Sequence, residues 1–192
     1  MMTLVGLAGS LRQQSYNAAL LRAAAELAPP GVQVEIGSIR GIPLYDGDVE
    51  EAGIPAEVTA LKERIAQADG LLVVTPEYNH SLPGVLKNAL DWLTRPPSDI
   101  PRVFHHRPVA LMGASVGRGG TALAQAAWLP VLRGLRMRPF FGARLELSEA
   151  HRVFDAQGHL VDEEQRRRVS EFVAAFADFV RTGSPPLVSS AS

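Results

Sequence analysis

Short runs of consecutive apolar residues alternate along the chain with longer segments in which apolar positions recur at helical spacing. The apolar runs are rich in Val, Leu, Ile and Phe and do not alternate with polar residues, which is typical of parallel strands covered on both faces of a sheet. We therefore predict five buried strands, at Thr3–Ala8, Val32–Ile36, Leu71–Thr75, Pro108–Gly113 and Met137–Phe141.

The amphipathic segments between these strands predict the helices that cover the sheet. They lie at Asn17–Ala28, Pro55–Ala68, Pro83–Leu93, Gly120–Leu135 and Glu163–Arg181. Five successive strand–helix units predict an α/β fold with a single doubly wound, five-stranded parallel sheet. We expect one domain over residues 1–182 and a disordered tail over 183–192, because the tail is small, polar and proline-bearing.

Composition and charge narrow the possible functions. The 192 residues include 19 basic and 20 acidic residues, interspersed, with a formal net charge of −1, so nothing indicates a nucleic-acid surface. The chain has no cysteine, which excludes disulfides and thiol catalysis. His80, His105 and His106 lack partners at metal-ligand spacing, so we expect no metal. The first eleven residues lack the length of a membrane span and the basic start of a signal, which predicts a cytoplasmic protein.

The loop after the first predicted strand has the composition of a phosphate site. It offers the hydroxyls of Ser10 and Ser15, the amide of Asn17 and the guanidinium of Arg12, directly before a helix N-terminus. The loop lacks the glycine spacing of a dinucleotide fingerprint and the Gly-Lys-Ser/Thr ending of a nucleotide triphosphate loop, so a monophosphate ester fits better. The same residues are also consistent with a simple helix cap and turn, with Arg12 in solvent.

Two further polar loops follow the third and fourth predicted strands. The loop at 75–84 is stiffened by prolines and presents Tyr78 and Asn79, and the loop at 114–120 contains three glycines that permit close backbone approach to a ligand. We expect the flavodoxin-like strand order 2-1-3-4-5, which brings all three loops to one crevice at the carboxyl edge of the sheet. A flat aromatic ring with a monophosphate arm suits such a crevice, and FMN has that shape.

With these motifs in this order, the sequence resembles the NADPH-dependent FMN reductase family, the flavodoxin-like quinone, azo-dye and chromate reductases. The resemblance covers essentially the whole domain. It rests on Gly9-Ser10-Leu11-Arg12 with Ser15 and Asn17, on Pro76-Glu77-Tyr78-Asn79 with Ser81, Pro83-Gly84, Leu86-Lys87-Asn88-Ala89 and Asp91-Trp92, and on Ser115, Gly117 and Gly119-Gly120. Val116 stands where many members have proline.

The resemblance implies a role for each motif toward FMN. The residues that would hold the phosphate are Ser10, Arg12, Ser15 and Asn17. Those that would line the isoalloxazine ring are Pro76, Glu77, Tyr78 and Asn79. Those that would meet its pyrimidine or ribityl side are Ser115, Gly117 and Gly120. Glu77 is equally consistent with a surface carboxylate or a group that fixes the backbone.

In such a flavoprotein the cofactor carries the redox chemistry. We expect a ping-pong cycle in which NADPH or NADH gives hydride to FMN and an acceptor then takes its place, with no catalytic side chain. Arg118, together with Arg12, is a candidate for attracting the phosphates of NAD(P)H. The acceptor stays open among quinones, azo compounds, metal oxyanions and free flavin. Two alternatives also stay open: a flavodoxin-like electron carrier or flavin-binding protein without nicotinamide turnover, and a phosphate-binding regulatory module without flavin.

The helix predicted at Pro83–Leu93 bears on the oligomeric state. Its apolar residues cover a broad arc, with Leu86, Leu90 and Leu93 on one face and Val85, Ala89 and Trp92 on the next. An arc wider than one sheet contact implies a second surface. We expect a homodimer, or a homotetramer as the family resemblance suggests, with this helix and the turn Tyr78–Leu82 at the contact.

Overall fold

Strands and helices alternate throughout residues 1–183, the part of the chain that the computed structural model describes. Of the tail predicted at 183–192, residues 184–192 lie outside the described residues. The strands are β1 (Met2–Ala8), β2 (Val32–Gly37), β3 (Gly70–Val74), β4 (Pro108–Ala114), β5 (Arg138–Pro139) and β6 (Leu145–Leu147). The helices are α1 (Tyr16–Glu26), α2 (Gly47–Ala52), α3 (Ala56–Gln67), α4 (Gly84–Leu93), α5 (Ile100–Val103), α6 (Ala122–Gly134) and α7 (Glu163–Arg181).

The sheet is parallel, with the strand order β2-β1-β3-β4-β5, and β6 also pairs with β4. This confirms the predicted α/β fold and its 2-1-3-4-5 order. In the centre of the sheet Leu4 pairs with Val34 on one side and with Gly70 on the other. All five residues of β3 are buried, as the continuous apolar pattern predicts for a central strand.

Successive side chains of each central strand enter opposite cores. Leu4 and Leu72 pack with residues of α1 and α7 on one face, whereas Val5 and Leu71 pack with residues of α3, α4 and α6 on the other. The alternation follows from the two-residue period of a strand. The sheet is therefore covered on both faces, and its strand ends are the places where loops reach solvent.

The fifth predicted strand, Met137–Phe141, is only partly correct. The edge position beside β4 is filled by two short strands, β5 and β6, with residues 140–144 between them outside the sheet. The ring of Phe140 leaves the strand to pack against Phe172 and Phe176, both at 5.7 Å between centroids, and Phe141 is 72% exposed. The Phe140 amide still donates to the Val109 carbonyl of β4 at 2.8 Å, so pairing with β4 ends at this residue and resumes only at β6.

The five predicted helices are observed with small shifts at their ends. Pro83, expected as the first residue of its helix, instead precedes α4 in an extended conformation as its N-cap. The short helices α2 and α5 were not predicted. Within residues 1–183, no helix is long and apolar enough to cross a membrane.

The argument for a partner subunit from the broad apolar arc of α4 is wrong. Trp92, Leu86 and Ala89 are fully buried within the single chain, and Val85 is the exception at 36% exposure. The indole of Trp92 donates a hydrogen bond to the Pro43 carbonyl at 2.9 Å, so the loop after β2 covers this face. The second surface that the arc requires is therefore supplied by the chain itself.

Candidate functional site

Three loops meet beyond the carboxyl ends of β1, β3 and β4 and form a groove that is open to solvent. The first loop spans residues 9–15, the second 75–83 and the third 115–121. The groove is lined by Ser10, Arg12, Gln14, Ser15, Tyr16, Asn17, Pro76, Glu77, Tyr78, Ala114, Ser115 and Val116. Of the predicted site residues, eight are thus brought together here. Asn79, Gly117, Arg118 and Gly120 belong to the same loops but do not line the groove.

The start of α1 faces the groove with donors that have no partner in the helix. Ser15 is the N-cap, and its hydroxyl oxygen accepts a hydrogen bond from the Ala18 amide at 3.2 Å. Accepting this bond leaves the hydroxyl proton of Ser15 available to a ligand. The amides of Tyr16 and Asn17 precede the first intrahelical hydrogen bond, so they are donors without an acceptor inside the helix. This end of the groove attracts an anion.

Ser10 and Arg12 complete the donor set of the first loop. The Ser10 hydroxyl oxygen accepts hydrogen bonds from the Arg12 amide and from the Tyr78 hydroxyl, both at 3.3 Å. The proton of Ser10 remains available to donate. The loop is supported from outside by Arg40, whose guanidinium donates to the Leu11 carbonyl at 2.6 Å. The Arg12 side chain itself is exposed at the rim.

Asn17 is anchored to the chain in a way that its sequence position did not reveal. Its side-chain nitrogen donates to the Ala114 carbonyl and its side-chain oxygen accepts from the Ala114 amide, both at 2.9 Å. The side chain is buried. The pair of bonds fixes the first turn of α1 against the end of β4. Contact between Asn17 and a phosphate stays a prediction, whereas its structural role is observed.

The second loop contains a tight hairpin turn. Tyr78 and Ser81 exchange two backbone hydrogen bonds of 3.0 Å, and Asn79 and His80 between them have φ of 50° and 60°. Two consecutive left-handed residues form a type I′ turn, for which Asn is suited at the first position. The turn projects Tyr78 toward the first loop with 46% of its surface exposed. An aromatic ring at the groove is thus held by backbone geometry.

Glu77 connects the second loop to α6. Its carboxylate accepts hydrogen bonds from the amides of Leu123 at 2.9 Å and Ala124 at 3.2 Å, while Thr121, the N-cap of α6, makes no side-chain cap. The carboxylate therefore replaces the missing cap and compensates the positive end of the helix dipole. Of the two alternatives for this residue, the group that fixes the backbone is observed.

Buried polar contacts below the second loop escaped sequence reasoning. The hydroxyl of Thr75 accepts from the Trp128 indole at 3.0 Å and donates to the Pro76 carbonyl at 2.9 Å. The first two loops also approach closely, since a Cβ at Gly9 would lie 2.8 Å from Pro76 Cδ. Thr75 and Trp128 lie 53 positions apart, and no local pattern links them.

The third loop contributes backbone and little side chain. Gly120 has φ of 58°, and a Cβ there would lie 2.9 Å from the Cβ of Glu146, so only glycine fits without strain. Gly117 is exposed, and its carbonyl accepts from the Ser115 hydroxyl at 3.2 Å. Arg118 is exposed beside it. The groove also includes Gln14 and Val116, which lie between predicted residues of their loops but carried no motif of their own.

Chemically, the groove supplies donors rather than an acid or a base. Its one lining carboxylate, Glu77, accepts from the two α6 amides through Oε2, and its Oε1 lies 3.6 Å from the His80 Nδ1. In residues 1–183 there is no cluster of three His, Cys, Asp or Glu side chains able to hold a metal ion. The arrangement can bind an acceptor-rich ligand and orient it.

Parallel strands in the order 2-1-3-4-5, with a groove lined by hydrogen-bond donors at their carboxyl edge, define a flavodoxin-like protein. Residues 2–152 match the family model described as NADPH-dependent FMN reductase. The chain therefore belongs to the NADPH-dependent FMN reductase family, and the family predicted from the three loop motifs is confirmed.

Individual relatives resemble the chain over nearly its full length. An NAD(P)H-dependent FMN reductase from Pseudomonas aeruginosa is 45% identical over 177 residues, covering 92% of this chain and 94% of the relative. A quinone reductase from Escherichia coli is 38% identical over 184 residues, with 92% and 94% covered. The solved structure of a flavoenzyme NAD(P)H:(acceptor) oxidoreductase from Paracoccus denitrificans has a TM-score of 0.85 at 33% identity, covering 95% of this chain and 99% of that one.

Replacing Asn17 tests its anchoring role. Asn17→Ala leaves the buried amide and carbonyl of Ala114 without partners, which we expect to lower the free energy of unfolding by about 2–4 kcal/mol. The measurement is urea denaturation of the protein without added ligand. Gln13→Ala, an exposed amide in the same loop, is the matched control and should change stability by less than about 0.5 kcal/mol. Equal stability of the two variants would contradict the assignment.

Proposed function

We propose that the chain binds FMN in the groove between its three loops and acts as an NAD(P)H-dependent FMN or quinone reductase. The observation that carries this proposal is the groove itself, where the anion-binding start of α1 faces an aromatic turn in a chain of this family. One end suits a phosphomonoester and the other a flat ring. The names of the relatives, an FMN reductase and a quinone reductase, support the same chemistry.

We assign the phosphate of FMN to the first loop. The hydroxyl protons of Ser10 and Ser15 and the first amides of α1 are available to donate, and Arg12 adds a planar charged fork. Asn17 holds the helix end in place from below and remains a candidate donor through its second amide proton. These residues fit a dianionic phosphate because all of them donate and none is acidic.

We assign the ring to the second and third loops. Pro76 and Tyr78 line the groove beside it, and the left-handed Asn79 places its backbone at the same turn. Glu77 acts on the ring indirectly, since its carboxylate is engaged by α6. On the other side, Ser115, Gly117 and Gly120 would meet the pyrimidine or ribityl side. Backbone amides near these glycines stabilise negative charge at that edge.

When bound, FMN supplies the chemistry, accepting hydride from NADPH or NADH and passing electrons to the acceptor. The chain orients the reactants and provides no general acid or base in the groove. We infer a ping-pong order, in which the nicotinamide and a quinone would occupy the groove in turn. Arg118 stays a candidate contact for NAD(P)H, and cytoplasmic location stays a prediction.

Anaerobic reduction tests the reductase. Mixing the FMN-loaded protein with excess NADPH or NADH should bleach its visible flavin absorbance, and adding a quinone should restore it, because FMN carries the electrons between them. Stopped-flow absorbance follows both half-reactions. Bleaching by dithionite but by neither nicotinamide would instead favour a flavodoxin-like carrier. A protein that binds no FMN would point to a phosphate-binding module.

Arg12→Ala tests the phosphate assignment. Charge-assisted hydrogen bonds contribute about 1.5–3 kcal/mol, so the Kd for FMN should rise about tenfold or more while the fold is retained. Flavin fluorescence titration measures the change. Arg167→Ala, which removes an equal charge from a side chain on α7 that is 69% exposed, should leave the Kd unchanged. If Arg12→Ala binds FMN as tightly as this control, the first loop is not the phosphate site.

We also propose a homodimer or homotetramer. This proposal rests on the family resemblance and on exposed apolar residues, and no longer on the apolar arc of α4. Leu44 is 82% exposed, and Asn88 of α4 holds its loop through two hydrogen bonds of 2.8 Å. The Asn88 side chain donates to the Pro43 carbonyl and accepts from the Tyr45 amide.

Light scattering at micromolar concentration should give at least a dimer. Leu44→Asp should shift it toward monomer, whereas Val161→Asp should not; a monomeric wild-type chain would refute this assembly.

A further inference from the structure

A second cavity adjoins the groove at the first loop. It is enclosed by α1 and by the turn at 155–158, and Arg12, Gln14, Ser15 and Tyr16 border both spaces. Its volume is about 180 Å³. The groove has the same volume, so the lining residues rather than the size distinguish the ligands of the two spaces.

Ala19 and Gly158 are the two small residues that leave this space open. Ser15, Ala19 and Arg22 follow each other along one face of α1. Gly158, at φ of 81°, closes the opposite wall. A Cβ there would lie 2.9 Å from the Arg22 Nη2 atom and 3.7 Å from the Ala19 Cβ. The Arg22 guanidinium therefore lies directly against the Gly158 backbone at the edge of the cavity.

The charges around the cavity favour an anion. Within residues 1–183, neither Arg12 nor Arg22 forms an ion pair, and neither guanidinium makes a hydrogen bond. Two positive groups therefore face the cavity, which the start of α1 also borders. Gln14 and Gln157 add amide donors at its wall.

The one carboxylate beside the cavity, Asp155, is engaged within its own turn. Its Oδ1 accepts from the amides of Gln157 at 2.9 Å and His159 at 2.8 Å, and its Oδ2 lies 3.1 Å from the His159 Nδ1. The backbone hydrogen bond from His159 is the main reason that the pKa of Asp155 lies below its usual range. Asp155 is therefore charged and offsets one of the two guanidinium groups, which leaves one positive charge at the cavity, with Arg12 shared between the cavity and the groove.

We propose that this cavity binds the 2′-phosphate on the adenosine ribose of NADPH, through Arg22 with Arg12 beside it. The inference rests on the proposed reductase function, in which two phosphomonoesters take part. One, on FMN, is assigned to the groove of Ser10 and Ser15. The other is the 2′-phosphate that distinguishes NADPH from NADH, and arginine is the side chain suited to it. Because Arg12 borders both spaces, a dinucleotide bound beside FMN would place its 2′-phosphate next to the first loop.

The decisive variant is Arg22→Ala, compared with Arg22→Lys and with Arg167→Ala as the control for charge. We expect the wild-type protein to have a higher kcat/KM for NADPH than for NADH. Arg22→Ala should lose about tenfold or more in kcat/KM for NADPH and stay within about twofold for NADH. Arg22→Lys should recover part of the loss, because lysine keeps the charge without the planar fork. Arg167→Ala should change neither value.

Calorimetry supplies a readout that needs no turnover. The FMN-loaded wild-type protein should bind 2′,5′-ADP about tenfold or more tightly than 5′-AMP, and Arg22→Ala should abolish the difference. If both nicotinamides fail to reduce the flavin, the proposed function fails, yet this binding comparison still decides the subsite. Inorganic phosphate should bind more weakly than 2′,5′-ADP.

Four outcomes would overturn the subsite. They are equal use of NADPH and NADH by the wild-type protein, an equal loss for both in Arg22→Ala, equal binding of 2′,5′-ADP and 5′-AMP, and inorganic phosphate binding as tightly as 2′,5′-ADP. A raised Kd for FMN in Arg22→Ala would show instead that the cavity holds the flavin phosphate. That result would leave the reductase assignment intact and refute this inference.

Discussion

Two hydrogen bonds between the Asn17 amide and the backbone of Ala114 are the constraint on which the groove depends. Strands β1 and β4 are not neighbours, because β3 lies between them in the sheet. The Asn17 side chain spans that gap and fixes the start of α1 relative to the third loop. An amide that both donates and accepts is required, since aspartate lacks the donor and an apolar residue would leave two buried backbone groups without partners.

Glu77 provides the second tie, between the second loop and α6. Together the two residues connect three loops that follow three different strands. The tie also has a chemical consequence. Because the carboxylate is engaged by helix amides, the groove presents hydroxyl protons, amides and a guanidinium, and its ligand must provide the acceptors. A flavin mononucleotide, the ligand we propose, has such acceptors at its phosphate and along its ring edge, and it would supply the redox chemistry.

Helix α4 shows where amphipathic reasoning stops being informative. The width of its apolar arc is real, since Leu86, Ala89, Leu90, Trp92 and Leu93 are all buried. Periodicity states how much of a helix is covered but not what covers it. Here the loop after β2 returns to the helix through Pro43 and Tyr45, whose ring contacts Trp92 at 5.1 Å between centroids. The fifth strand shows a related limit, because an apolar run does not indicate where pairing with the neighbouring strand ends, and here it ends after the Phe140 amide donates to the Val109 carbonyl.

The sequence by itself predicted the strand order, the five main helices and the meeting of the three loops at one groove. Local apolar periodicity indicates buried strands, and parallel strands place the loops that follow them at one edge of the sheet. It also identified the family, since its motifs are contiguous. Only the tertiary structure decided the anchoring of Asn17, the capping by Glu77, the Thr75–Trp128 contact and the second cavity beside Arg22. Each joins residues far apart in the chain, such as Asn17 and Ala114 at a separation of 97, and such contacts exist only once the strands between them have paired.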